Sequence, residues 1–247
     1  MSVELNRMKA VILAGGLGTR VQHLLPGVPK PMAPVAGRPF LEWVVRYLAK
    51  QGVGRMVIST GYLTGVVERH FQNQPVPGVN VQCVSELEPL GTAGGFLHAV
   101  KAAGEPPSSW LVLNGDSLVF ANLHLAAAPF ADPAVSGVIL GRTVPDASRY
   151  GALAMGPSGE LLRFEEKRPG GGVINTGIYL LRRSVLAEFP AQSPLSFERD
   201  VFPALIGRGF RLQTVVTDAP FLDIGTPESL PQAEGFIREN MAEFVGD

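Results

Sequence analysis

Cysteine is almost absent from this chain: Cys83 stands alone among 247 residues, which excludes an intrachain disulfide framework. With Val81 and Val84 beside it, Cys83 reads as a buried strand residue, and no neighbouring base marks an activated thiolate. Charge is sparse as well. Only 17% of the residues are charged and the formal net charge is −1, so no global field favours nucleic acid or an anionic membrane. Any anionic substrate must be held by a local cluster. No apolar run approaches the ~20 residues of a membrane span, and residues 1–7 carry no apolar signal-peptide core. The expectation is a cytoplasmic protein with no nucleic-acid or membrane partner. His23, His70, His98 and His124 form no metal-spaced pair and are expected on helix faces or at the surface.

Hydrophobic residues, at 46%, are ample for a core, and 29 glycines with 21 prolines point to many tight turns. Short β-rich runs alternate with helix-period segments through the first half. Strands are expected at 9–14, 55–60, 79–84 and 110–113, and helices at 40–50, at 65–71 (the end of one) and at 92–103. That alternation predicts an α/β fold built on a parallel sheet covered on both faces. Beyond about residue 135 the texture changes. Strands at 135–144, 151–155, 160–164 and 173–182 are joined by short turns, a helix is expected over 197–206, and another after Pro227. No repeat or linker divides the chain, which reads as one mixed-sheet domain with a substrate-binding second half.

The sharpest local signal is Leu13-Ala14-Gly15-Gly16-Leu17-Gly18-Thr19-Arg20, directly after the first expected strand. Glycines allow backbone N–H groups to converge on a phosphate, Thr19 adds a hydroxyl and Arg20 a forked guanidinium. Val28-Pro29-Lys30-Pro31-Met32 follows, with prolines stiffening the chain around a point charge. No Gly-Lys-Ser/Thr follows, so this is not a Walker loop. Pro26, Pro29 and Pro31 oppose the immediate helix of a dinucleotide fingerprint, and Glu42 is the only acidic residue near its ribose position.

Loop and Pro-Lys-Pro-Met together resemble the opening pattern of the sugar-phosphate nucleotidylyltransferase family almost letter for letter, and the resemblance runs from Met8 to about Phe236. It implies a single Rossmann-like domain over 8–240, a mostly parallel mixed sheet flanked by helices, with a nucleotide half (8–116) and a sugar half (135–240). It implies transfer of a nucleoside monophosphate from an NTP to a sugar 1-phosphate with release of pyrophosphate. The nucleotide would lie on Leu13, Ala14, Gly15, Gly16, Gly18, Thr19 and Arg20. Glu86, Pro89, Leu90, Gly91 and Thr92 would line its base, although Thr92 reads equally as a helix cap.

Asp116 after Leu113-Asn114-Gly115, and Asp223 in Asp223-Ile224-Gly225-Thr226-Pro227, each follow an apolar run, where α/β sheets bind ligands. By resemblance these two hold Mg²⁺, the one cofactor expected. Asn114, Gly151, Glu166, Lys167, Asn175 and Thr176 are the implied sugar contacts, with Arg20, Lys30, Asp116 and Lys167 as the catalytic set. Glu166-Lys167-Arg168-Pro169 departs from the family's Glu-Lys-Pro by one inserted arginine. Within the family the phrases are most similar to bacterial guanylyltransferases that use GTP and D-glycero-D-manno-heptose 1-phosphate. A uridylyltransferase for N-acetylmuramate or a hexose phosphate, and a non-catalytic nucleotide-sugar sensor, are the alternatives. The protomer is expected as a monomer or homodimer.

Overall fold

A computed structural model describes residues 4–165 and 169–244. Along the chain lie β1 (Lys9–Ala14), β2 (Pro34–Val35), β3 (Arg38–Pro39), α1 (Phe40–Lys50), β4 (Arg55–Thr60), α2 (Thr64–Asn73), β5 (Asn80–Ser85), α3 (Thr92–Ala102) and β6 (Ser109–Asn114). The second half holds β7 (Ser117–Val119), α4 (Leu123–Ala126), β8 (Val135–Val144), β9 (Ala152–Met155), β10 (Leu161–Glu165), β11 (Gly172–Arg182), α5 (Phe202–Gly207), β12 (Arg211–Thr217), β13 (Phe221–Asp223) and α6 (Ala233–Glu239).

The main sheet has nine strands. The strands of the first half, β6-β1-β4-β5, are parallel throughout, and the antiparallel β11 joins them to β8, β9 and β10. Strand residues alternate between faces. Ala10 and Ile12 therefore face one core, shared with α1, α2 and α6, while Val11 faces another, shared with Phe96 of α3 and Phe202 of α5. Both faces being covered, β1 and β6 read as near-continuous apolar runs. Among the described residues no helix is long and apolar enough to cross a membrane.

Several expectations need correction. The last helix begins at Ala233, not just after Pro227. Residues 226–229 close a turn of their own, in which Thr226 N donates to Ser229 Oγ and Ser229 N to Thr226 Oγ1. Cys83 is only half-buried, because β5 is an edge strand; burial first, then Glu68, pushes its thiol up to about 11. His70 does lie on a helix, α2, as expected, and its Nε2 is 2.9 Å from the buried Glu42 carboxylate. Strand β12 has no counterpart in the sequence reading.

Candidate active site

The carboxyl ends of β1 and β6 lie side by side, in register Leu13 against Asn114. The loops leaving them must therefore meet, and Gly115 N donates to Leu13 O at 2.8 Å. Between them opens a cavity of about 290 Å³ lined by Leu13, Ala14, Gly15, Gly16, Lys30, Pro31, Glu86, Pro89, Gly91, Thr92, Asn114 and Asp116. Residues far apart in sequence, chosen on phosphate, base and metal grounds, thus share one hollow.

Local backbone geometry explains the glycines. Gly18 adopts φ +62°, and a Cβ there would sit 2.8 Å from Lys30 Cβ, so the loop must lack a side chain where the lysine packs. Lys30 is thereby aimed into the cavity, where its ammonium donates to Asp116 Oδ2. Gly15 and Gly95 flank Glu86 Oε1, which would lie 2.7 and 2.5 Å from a Cβ on either. Ser59 Oγ donates to Glu86 Oε1 at 2.7 Å and Leu90 N to Oε2 at 3.2 Å, fixing the carboxylate plane.

Asp223 reaches Asp116 through the β7–β13 ribbon. Asp223 pairs with Ser117, and Ile224 N donates to Asp116 O at 3.0 Å. Burial, and then the Asp116 charge, raise the Asp223 carboxyl above its ordinary range, while Gly225 N, Lys30 and Arg20 oppose the rise. Two carboxylates crowded in this way, with a lysine standing against one, suit a hard cation that favours oxygen ligands. No group of three or more potential metal ligands occurs among the described residues; Mg²⁺ needs only one or two carboxylates when phosphates complete its shell.

Not every expected contact lines this cavity. Thr19 and Arg20 are exposed, with Arg20 Nη2 lying over Gly225. Gly18 acts through Lys30, and Leu90 through Glu86. Gly151 and Asn175 line a second cavity of about 740 Å³, with Leu162, Arg163, Phe164, Glu165, Glu198, Arg199 and residues of α5. Thr176 is a correction: it is buried and its hydroxyl donates to Leu140 O at 2.8 Å, so its side chain turns into the sheet. Thr92 is another. It is the first residue of α3 and makes no side-chain cap; its hydroxyl accepts from Phe197 N at 2.9 Å instead. Glu166 and Lys167 lie outside the described residues.

The sequence reading misses Glu198. Its carboxylate accepts from Tyr179, Ser196 and Thr92. In sequence it is one of two acidic residues in the first turn of a helix, a placement that the helix dipole alone accounts for.

Residues 9–240 match the family model described as nucleotidyl transferase. A D-glycero-alpha-D-manno-heptose 1-phosphate guanylyltransferase of Campylobacter jejuni is 33% identical over 90% of this chain and 96% of its own length. One of the same name from Aneurinibacillus thermoaerophilus is 30% identical over 92% and 97%. The crystal structure of HddC from Yersinia pseudotuberculosis complexed with GMP-PN superimposes with a TM-score of 0.76 at 34% identity, covering 92% of this chain and 98% of that one.

Proposed function

Because the chain belongs to the nucleotidyl transferase family, we propose that it is a sugar-1-phosphate guanylyltransferase, joining GTP to D-glycero-α-D-manno-heptose 1-phosphate. The two heptose 1-phosphate guanylyltransferases similar over nine-tenths of the chain support the sugar. The base rests on Glu86. A carboxylate only accepts hydrogen bonds, and guanine presents two adjacent donors, N1–H and the 2-amino group. Uracil presents one N–H between two carbonyls, which an anion repels. Ser59 and Leu90 N occupy one lone pair on each Glu86 oxygen and leave the others for the base.

The reaction is an in-line displacement. An oxygen of the sugar phosphate attacks the α-phosphorus of GTP, the bond to the β-phosphate oxygen breaks, and pyrophosphate leaves with its electron pair. No covalent enzyme intermediate is needed, so positioning and charge neutralisation supply the rate. The Leu13–Gly16 backbone cradles the triphosphate, and Lys30 swings its ammonium from Asp116 to the phosphates. Mg²⁺ held by Asp116 and Asp223 would supply positive charge between the reacting groups. Lys167, by its place in the family pattern, steers the attacking phosphate.

Glu86 carries the base assignment, and Glu86→Gln tests it. The amide offers an acceptor beside a donor, which matches uracil. The variant should lose tenfold or more in kcat/KM for GTP and gain on UTP. Unchanged base preference would overturn the assignment.

A further inference from the structure

The two cavities are bolted together. Thr92 lines the first and Glu198 the second, and Thr92 Oγ1 donates to Glu198 Oε2 at 3.3 Å. Ser196 Oγ donates to the same oxygen at 2.8 Å. Tyr179 OH donates to Glu198 Oε1 at 2.7 Å, and accepts in turn from Asn175 Nδ2 at 2.7 Å. Three hydroxyls thus hold the carboxylate, leaving Oε1 a lone pair in the cavity lined by Gly151 and Asn175, the implied sugar contacts.

Backbone contacts make the same connection independently. Leu195 N donates to Leu90 O at 2.8 Å, and Leu195 O accepts from Ala93 N at 2.9 Å and Gly94 N at 3.1 Å. Those two N–H groups belong to the first turn of α3, so a carbonyl from the sugar half does the capping that a side chain usually does. Gly91, at φ +77°, has no room for a Cβ, which would lie 2.5 Å from Leu195 O.

We propose that Glu198 is a positioning residue that joins the sugar cavity to the nucleotide loop through Thr92, so that sugar phosphate and nucleotide bind with positive coupling. A sugar hydroxyl bonded to Glu198 Oε1 fixes the carboxylate, and with it the Thr92 hydroxyl and the loop lining the base. The second ligand then meets a loop already ordered and bears less of the ordering cost. Because coupling is reciprocal, either substrate promotes binding of the other by the same factor. The inference rests on the transfer reaction assigned above.

The test is calorimetric titration of the Mg²⁺-loaded protein with the α,β-methylene analogue of GTP, which cannot release pyrophosphate, with and without saturating D-glycero-α-D-manno-heptose 1-phosphate. Wild type should bind the analogue at least about fivefold tighter when the sugar phosphate is present. Thr92→Val should bring that ratio to about one, and Thr92→Ser should keep it. Glu198→Gln should abolish the coupling and also weaken sugar phosphate binding by about tenfold, as loss of a charged hydrogen-bond partner does. A wild-type ratio of one, or a Thr92→Val variant that keeps the full ratio, would overturn the proposal. Wild-type turnover of a different nucleotide and sugar phosphate would revise the substrate assignment instead, and the ratio would be read with that pair.

Discussion

Lys30 and Asp116 form an ion pair inside the cavity between the β1 and β6 loops, with the ammonium donating to Oδ2. Each is the other's only salt-bridge partner among the described residues. In the proposed reaction the pair keeps a cation where phosphate charge arrives, and it spares Asp116 an unpaired negative charge beside Asp223. Lys30→Met removes the charge and keeps much of the stem that packs on Gly18. The expected result is a fall of about 10²–10³ in kcat/KM, the usual scale for one electrostatic contact to a transition state, with a thermal midpoint close to that of wild type.

Asp223 ties stability to function with opposite signs. Its carboxyl is raised by burial and by Asp116, so the folded state binds that proton more tightly than the unfolded chain. Its contribution is full below the ordinary carboxylate value of about 4 and is lost as pH rises through the higher folded value. At neutral pH the ionised group is therefore a cost to the metal-free protein. Asp223→Asn should raise the melting temperature of the metal-free protein by on the order of 2–4 °C and greatly reduce Mg²⁺-dependent turnover, as read by differential scanning calorimetry and a pyrophosphate assay.

Glu42 shows the reverse sign. Burial works against its charge, but Arg46, His70 and Arg38 outweigh it and hold the carboxyl below its ordinary value. The stabilisation is present above the unfolded value of about 4.3 and is lost as pH falls through the folded one. Glu42→Gln leaves the guanidinium groups of Arg38 and Arg46, and the His70 ring, around a buried neutral amide. It should cost about 3 kcal/mol in urea unfolding at pH 7, and the difference should shrink as pH falls below the unfolded value of about 4.3. Activity per folded molecule should stay near wild type, because no residue of α1 lines the cavity.

Gly177 is a backbone requirement of the site. It has φ +80°, and a Cβ there would lie 2.3 Å from Asn114 Nδ2, at the irregularity where β11 changes register against β8. Gly177→Ala should displace Asn114 and lower kcat/KM by tenfold or more, whereas Gly235→Ala in α6, with nothing within 4 Å of its added Cβ, should leave turnover nearly unchanged.

The parts legible in sequence are those whose chemistry is local. Strand β1, the glycine loop and Pro29-Lys30-Pro31 carry their geometry in residue type, and the cavity gathers most of the residues so chosen. Strand β12 escapes notice because its inward positions are Leu212 and Thr214, and a threonine on the buried face blunts the alternation. Thr176 looks like a ligand contact because Asn175-Thr176-Gly177 interrupts an apolar strand and matches the family pattern; its partner, Leu140 O, lies on another strand. Glu198 acquires its meaning only from Thr92 and Tyr179, which lie far from it in the chain.

The most direct measurement is product formation: purified protein, Mg²⁺, and GTP, UTP, CTP, dTTP or ATP with D-glycero-α-D-manno-heptose 1-phosphate, or with mannose, glucose or N-acetylmuramate 1-phosphate, followed by pyrophosphate release and mass spectrometry of the nucleotide sugar. The account predicts GDP-heptose and pyrophosphate in equal amounts from GTP and the heptose phosphate, faster than from any other pair. Faster turnover of UTP with another sugar phosphate, or tight nucleotide binding with no product from any pair, would contradict it.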